Sequence, residues 1–417
     1  MLGLSFRRLL SIVFSVRTEA PQPVASPVRI LIHCCVLLVL AVAAYWAGRL
    51  AWADHLSRGS QMADRQRAVR VAPGASLYER LAEKIEETGG DPLPALAYAA
   101  ELDPANTEYR MRLGLQAEMA GQFEVAERNL LAAARLSRLY QPRYLLAQYY
   151  FRRQNADGFF QWAHAAFDIA YGDVFPLLDL CWRMRPDPEW LRAHALSRRP
   201  EIARQYLVFL SRHRQMEAAE VLATQLSESA VPADLPALLE FCDRSLAAGR
   251  PAHPVEVWNR LCVSRLLPFE VLDPARGASL TDGSFARKPL GQVFDWRLND
   301  TDGVTSRRMK GELRVTFSGR QAEWCAIAWQ YLATRPGASY RLRAELRGVD
   351  IDSPDGVCWK VYDLAGQRVA AETGGGNLAF VAHSDVLVLM LAYQRPMGSP
   401  RLAGTVAVTR AEMGLER

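Results

Sequence analysis

Residues 107–140 read TEYRMRLGLQAEMAGQFEVAERNLLAAARLSRLY, and this stretch decides the architecture of the middle of the chain. Apolar and small residues recur at i, i+3 and i+4 on both sides of Gly121, which predicts two amphipathic helices folded back on each other. Gly114, Ala126 and Ala133 are small where two helices must approach closely, Leu113 and Leu130 supply apolar contact, and Gly121 suits the turn between them. Upstream, Leu102-Asp103-Pro104 ends an earlier helix, because proline disfavours helical backbone before it. Downstream, RYLLAQYYFRRQNADGFFQWAHAAFDIAYGD keeps the helix-turn-helix rhythm but sets Phe160, His164 and Phe167 where small residues stood. The rhythm continues to about residue 267, so residues 75–267 are expected to be all helical.

The 34-residue unit resembles the tetratricopeptide repeat, with Leu113-Gly114, Gly121, Ala126, Leu130 and Ala133 at that family's spacing and Pro104 closing a preceding repeat. The resemblance implies a curved solenoid that takes a peptide or protein partner on its concave face. Helices serving only as a spacer are the alternative. Tyr144, Tyr149, Tyr150, Phe151, Phe159, Phe160 and Trp162 read as packing between helices.

After a linker at residues 268–279 the period changes to alternation. In YRLRAELRG, Tyr340, Leu342, Ala344 and Leu346 face one way and Arg341, Arg343, Glu345 and Arg347 the other. GELRVTFSG, VCWKVYD, DVLVLMLAY and TVAVTR are further strands, separated by glycine turns that include Asp355-Gly356, Ala365-Gly366 and Gly374-Gly375-Gly376. Residues 280–417 are therefore expected to form a β-sandwich, a jelly roll.

Within that domain, Leu280-Thr281-Asp282-Gly283-Ser284-Phe285, Trp296, Gly311, Leu313, Val315, Gln330 and Pro336-Gly337 with Tyr340 resemble the jelly-roll carbohydrate-binding modules related to galactose-binding-like domains. Asp282 stands for that family's asparagine and Ala286 for its glutamate, which puts in doubt the calcium that relatives hold at this corner. The resemblance implies glycan binding, which needs exposed aromatic faces with polar side chains beside them. Trp324, Trp359, Lys360, Tyr362 and Tyr393 are the candidates; for each aromatic, a place in the core is the competing reading, since alternation defines two faces without saying which is inside.

Near the start, ILIHCCVLLVLAVAAYWAG (residues 30–48) is about 28 Å long as a helix, the thickness of a bilayer core. Arg29 and Arg49 close its ends, and Tyr45 and Trp46 suit the headgroup belt. A transmembrane helix over residues 30–50 is expected, with a cytoplasmic tail at 1–29, a juxtamembrane linker at 51–74 and extracytoplasmic domains beyond, anchored in the inner membrane. A cleaved signal peptide is the rival, because Ala51-Trp52-Ala53 offers an A-x-A site.

A net charge of +5 with arginines scattered along the chain gives no clustered footprint for nucleic acid. The seven cysteines contain no CxxC, and His164, His194 and His213 form no ligand motif, so no metal or cofactor is expected. Pairing of Cys325 with Cys358 is left open. Without GxSxG, a P-loop or GxGxxG before a helix, the chain is expected to be no enzyme. It reads as an anchored scaffold whose repeats bind protein and whose sandwich binds glycan in bacterial surface polysaccharide assembly or export; the alternative is an adaptor in which both domains bind only protein.

Overall fold

The computed structural model describes residues 27–309, 311–371 and 376–416. Most of the expected tail and the Gly374-Gly375 part of one turn lie outside the described residues. The chain divides into two compact units, Met1–Ser137 and Arg138–Arg417.

In the first unit α1 (Pro27–Ser57) is long and apolar enough to cross a membrane, with a mean hydropathy of 2.2 over its apolar window and none of that window buried. Its last turns belong to the folded body instead: Ala53 and Ser57 are buried, and Arg80 donates to Asp54 at 2.8 Å and to the Ser57 hydroxyl at 2.5 Å. Residues 51–74 hold this helix end and α2 (Met62–Val71). There follow α3 (Ala75–Glu87), α4 (Leu93–Leu102), α5 (Thr107–Met119) and α6 (Phe123–Leu136). Asn106 starts α5 by accepting the Glu108 N–H at 2.9 Å, satisfying a donor that the helix itself cannot. At the α5–α6 turn Gly121 has φ +75°, and the Gln122 N–H returns to the Ala117 carbonyl at 2.8 Å, a glycine-dependent helix stop. Leu113, Gly114, Ala126, Leu130 and Ala133 are all buried at the contact of the two helices. A Cβ on Gly114 would stand 2.8 Å from Leu130 Cγ and 3.2 Å from the Ala126 carbonyl oxygen, so hydrogen is the largest side chain that this approach admits.

The second unit continues with α7 (Tyr140–Arg152), α8 (Ala156–Phe167) and α9 (Phe175–Met184). A short α10 (Pro188–Trp190) widens into a π turn at Leu191–Ala195, before α11 (Pro200–Arg212), α12 (Met216–Glu228), α13 (Leu235–Ala247) and α14 (Ala252–Val263). Tyr149 and Phe159 are buried among these helices, with Tyr144, Tyr150, Phe151, Phe160 and Trp162 packed partly against them. Residues 268–279 are packed as well: Phe269 lies 5.2 Å from Trp258 between ring centres, and Leu272 is held at both its N–H and its carbonyl by the Asn259 side chain.

Two antiparallel sheets then form a sandwich. One has the order β1-β4-β9-β6-β7, from Arg297–Leu298 (β1), Trp324–Ala333 (β4), Val386–Gln394 (β9), Val357–Tyr362 (β6) and Arg368–Ala371 (β7). The other has the order β2-β3-β10-β5-β8, from Val304–Met309 (β2), Glu312–Ser318 (β3), Ala403–Leu415 (β10), Ser339–Gly348 (β5) and Asn377–Val381 (β8). From β3 to β6 and from β7 to β10 each strand enters the opposite sheet, the wrapping of a jelly roll. Trp296, Leu313, Val315, Tyr340, Leu342 and Trp359 fill the space between the sheets. Tyr340 is scaffold: its hydroxyl accepts the Arg335 N–H at 2.9 Å and donates to the Pro274 carbonyl at 3.1 Å. Gln330 is wholly buried and, with its amide oriented to suit both neighbours, links the Phe294 carbonyl to the Trp296 indole N–H at 3.0 Å each.

At the corner formed by Asp282, where the sequence resemblance raised the question of a calcium ion, Arg308 reaches Asp282 and Asp295 at 2.9 Å each, all three side chains being at least 95% buried. A carboxylate pair already balanced by a guanidinium does not fit a calcium ion. Cys325 and Cys358 are free thiols lying on opposite sides of β9, opposite Tyr393 and Ala392. Two strand spacings of about 4.8 Å each put them beyond the ~7 Å that a disulfide spans.

Gly114→Leu is expected to overpack the α5–α6 contact by about 1–3 kcal/mol, read as a lowered melting temperature. Arg308→Ala leaves two buried carboxylates without their cation and is expected to cost about 3–5 kcal/mol at neutral pH. Burial already pushes the Asp282 carboxyl above its ordinary range, against the Arg287 N–H and the Arg308 charge, which lower it. Losing Arg308 raises it further, so the folded variant holds protons more tightly than its unfolded chain. Its deficit relative to wild type should shrink as pH falls from 7 toward the ordinary carboxylate range near 4, which paired urea titrations at several pH values would measure.

Candidate functional site: an aromatic groove between helix and sheet

The outward face of the first sheet is aromatic where a soluble sandwich is ordinarily polar. β4 presents Trp324, Trp329 and Tyr331, with Trp329 and Tyr331 edge to face at 5.4 Å. Across the sheet the registers align Arg297, Trp329, Met390 and Lys360 in one row, and Tyr331, Val388 and Tyr362 in the next. Trp324 is 49% exposed at the end of β4.

This face is one wall of a groove, and α13 contributes the other. Two adjoining clefts of about 510 and 610 Å³ share Trp329, Tyr331 and Ala247. The first runs over Trp324, Tyr362, Leu364 and Met390; the second is bordered by Pro236, Glu240, Asp243 and Arg244 of α13 and by Gln292 and Arg297. The combination is the ordinary requirement for holding a sugar: flat apolar faces for pyranose rings with charged and polar groups alongside.

Arg297 joins the two walls. Its guanidinium lies 4.4 Å from the Trp329 ring centre and 4.9 Å from that of Tyr331, pairs with Asp243, and donates to the Val293 carbonyl at 3.0 Å. Asp243 also accepts the Val293 N–H at 2.7 Å, and Val293 has φ +50°, a costly conformation for a β-branched residue. Burial pushes the Asp243 carboxyl up, while the charge of Arg297 and the Val293 N–H pull it down.

The five residues named from sequence separate. Trp324 and Tyr362 lie on the groove. Lys360 is on the same sheet face but 97% buried, its ammonium donating to the Gln394 amide oxygen at 2.6 Å. Trp359 and Tyr393 are a correction: both are wholly buried between the sheets, Trp359 against Trp296 at 5.8 Å and Tyr393 against Phe317 at 5.3 Å, so neither offers a face to a sugar. Trp329, Tyr331 and the α13 wall escaped the sequence reading for a geometric reason. A bulge between Ala326 and Ala328 shifts the β4 register by one residue, and odd-numbered Trp329 and Tyr331 thereby join even-numbered Trp324 on one face. The signal was the run WCAIAWQYLA, whose aromatic residues alternate consistently only if one residue is skipped. Among the described residues no three His, Cys, Asp or Glu side chains converge as metal ligands would.

Trp359→Ala is expected to cost the fold about 3–5 kcal/mol, measured by chemical unfolding, because a wholly buried tryptophan leaves a cavity that the two sheets cannot close.

No family model matches the chain, and no curated protein matches it. Among solved structures, it is similar to a structure of accessory secretory proteins 1, 2 and 3 of Streptococcus pneumoniae, at 10% identity and a TM-score of 0.22, over 28% of this chain and 87% of that one. It is also similar to PilF of Pseudomonas aeruginosa, at 12% identity and a TM-score of 0.26, over 54% of this chain and 91% of that one.

Proposed function

We propose that this protein is a membrane-anchored, non-enzymatic scaffold: its tetratricopeptide-like helices dock a protein partner, and its carbohydrate-binding-module-like sandwich holds a glycan chain along the aromatic groove. The observation that carries the glycan reading is the set Trp324, Trp329, Tyr331 and Tyr362 on one sheet face beneath α13. Tyr331 also packs against the helical core and Arg297 covers Trp329, so the surface open to a sugar ring centres on Trp324, 49% exposed, with Tyr362 on the same cleft. The anchor is α1, and most of the mass follows it, which suits a single pass through the inner membrane with both domains extracytoplasmic. Burial of Ala53 favours an uncleaved anchor over a signal peptide, since Ala51-Trp52-Ala53 lies inside a continuous helix rather than in an extended, accessible segment. Glycan binding, an anchor and a partner for the repeats together suit assembly or export of a bacterial surface polysaccharide.

The test is a glycan array probed with the full-length protein in nanodiscs, beside Trp329→Ala and Trp324→Ala. Retention of neutral or mixed oligosaccharides by the wild type, lost in Trp324→Ala at unchanged melting temperature and in Trp329→Ala with a lowered one, because Trp329 also packs against Tyr331 and Arg297, is the expected result. An array on which the wild type retains no glycan would favour the adaptor that binds only protein.

A further inference from the structure

We infer that the first unit rests directly on the bilayer, with Arg49, Arg67 and Arg70 set among anionic lipid headgroups at the mouth of the span. The inference depends on the reading that α1 crosses a membrane, and goes beyond it in placing the folded body and naming what it touches. The apolar run ends at Gly48, and α1 continues without a break to Ser57. No flexible spacer intervenes: Ala53 is buried within about one turn of Arg49, and Asp54 and Ser57 are held by Arg80.

α2 then runs back beside α1, and Arg49 Nε donates to the Val71 carbonyl. That bond pins the end of α2 at the level where the span leaves the apolar layer. At ~1.5 Å per residue Arg70 and Arg67 start within roughly 6 Å of this level, inside the reach of an arginine side chain. Both are exposed, and among the described residues neither pairs with a carboxylate. The sequence has no acidic residue from Arg65 to Tyr78, the stretch that turns from α2 into α3. Arg49 lies over the Trp46 ring at 5.0 Å, and Tyr45, Trp46 and Trp52 are all exposed on α1, as residues of a headgroup belt are. Tyr78, at the end of the first turn of α3, stacks on exposed Tyr98 at 5.3 Å. Arginine suits the role because its planar fork takes two phosphate oxygens at once.

The experiment uses the full-length protein in nanodiscs of phosphatidylcholine with or without phosphatidylglycerol. A photo-crosslinking residue in place of Pro73, in the α2–α3 turn, is expected to form phospholipid adducts, and one in place of Glu87, at the far end of α3, is not. Native mass spectrometry should find phosphatidylglycerol retained in preference to phosphatidylcholine, the preference falling about fivefold for each of Arg67→Gln and Arg70→Gln. Carbonate extraction separates the two failures. Release of the protein by carbonate overturns the anchor and this inference together. Resistance to carbonate with no lipid adduct at position 73, or with an unchanged lipid preference in the double variant, overturns the inference and leaves the anchor standing.

Discussion

Asp243, one turn before the end of α13, accepts the Val293 N–H at 2.7 Å and pairs with Arg297, while Arg297 in turn covers Trp329 and Tyr331. These bonds tie the α13 wall of the groove to its sheet wall. Val293 sits in the left-handed region with its N–H bonded to that carboxylate and its side chain buried in the helical core, and the turn places Phe294 against Trp258, 5.6 Å away. The next residues, Asp295 and Trp296, enter the interior of the sandwich. One acidic side chain on a helix therefore holds the segment that leads into the first strand, while pairing with β4 sets how that strand faces.

The same logic accounts for the joining of helices and sheets within the second unit. Its helical core takes in Phe269, Leu272, Val293, Phe294, Ala333 and Val386, so apolar burial runs from α13 and α14 into the edge of the first sheet. Burial of this kind is non-directional and would tolerate several arrangements. The directional bonds of Asp243 and Asn259 select one. At the opening of the sandwich Arg308 does comparable work, holding Asp282 and Asp295 so that the loop ahead of β1 closes over Trp296, whose indole N–H is shared between the Gln330 amide oxygen and the Asp282 carbonyl, 3.2 Å away.

Much of the fold was legible because it rests on local periodicity. The i, i+3, i+4 pattern of residues 107–140 yields α5 and α6, and the alternation of YRLRAELRG yields β5, since helix and strand periods depend only on backbone geometry. Gly114 and Gly121 were readable for the same reason: a missing Cβ and a positive φ are demands that few residues meet. Gly158 meets a similar demand in α8, where a Cβ would lie 2.7 Å from the Tyr150 ring, but the aromatic residues around it obscured the small-residue pattern.

By itself the sequence determined the apolar span, the helical middle, the β-sandwich and the residue types from which a glycan site would be made. It left open which aromatic residues face outward, because alternation is blind to a bulge, and the one at Ala326–Ala328 inverts the parity of everything after it. Nor did it place α13 over the sheet: Asp243 and Arg297 are 54 residues apart, and their pairing depends on a long-range fold that no local period encodes. Tertiary structure alone decided that Trp359 and Tyr393 are core while Trp324, Trp329, Tyr331 and Tyr362 form one face, since burial is a property of what packs against a strand and not of the strand.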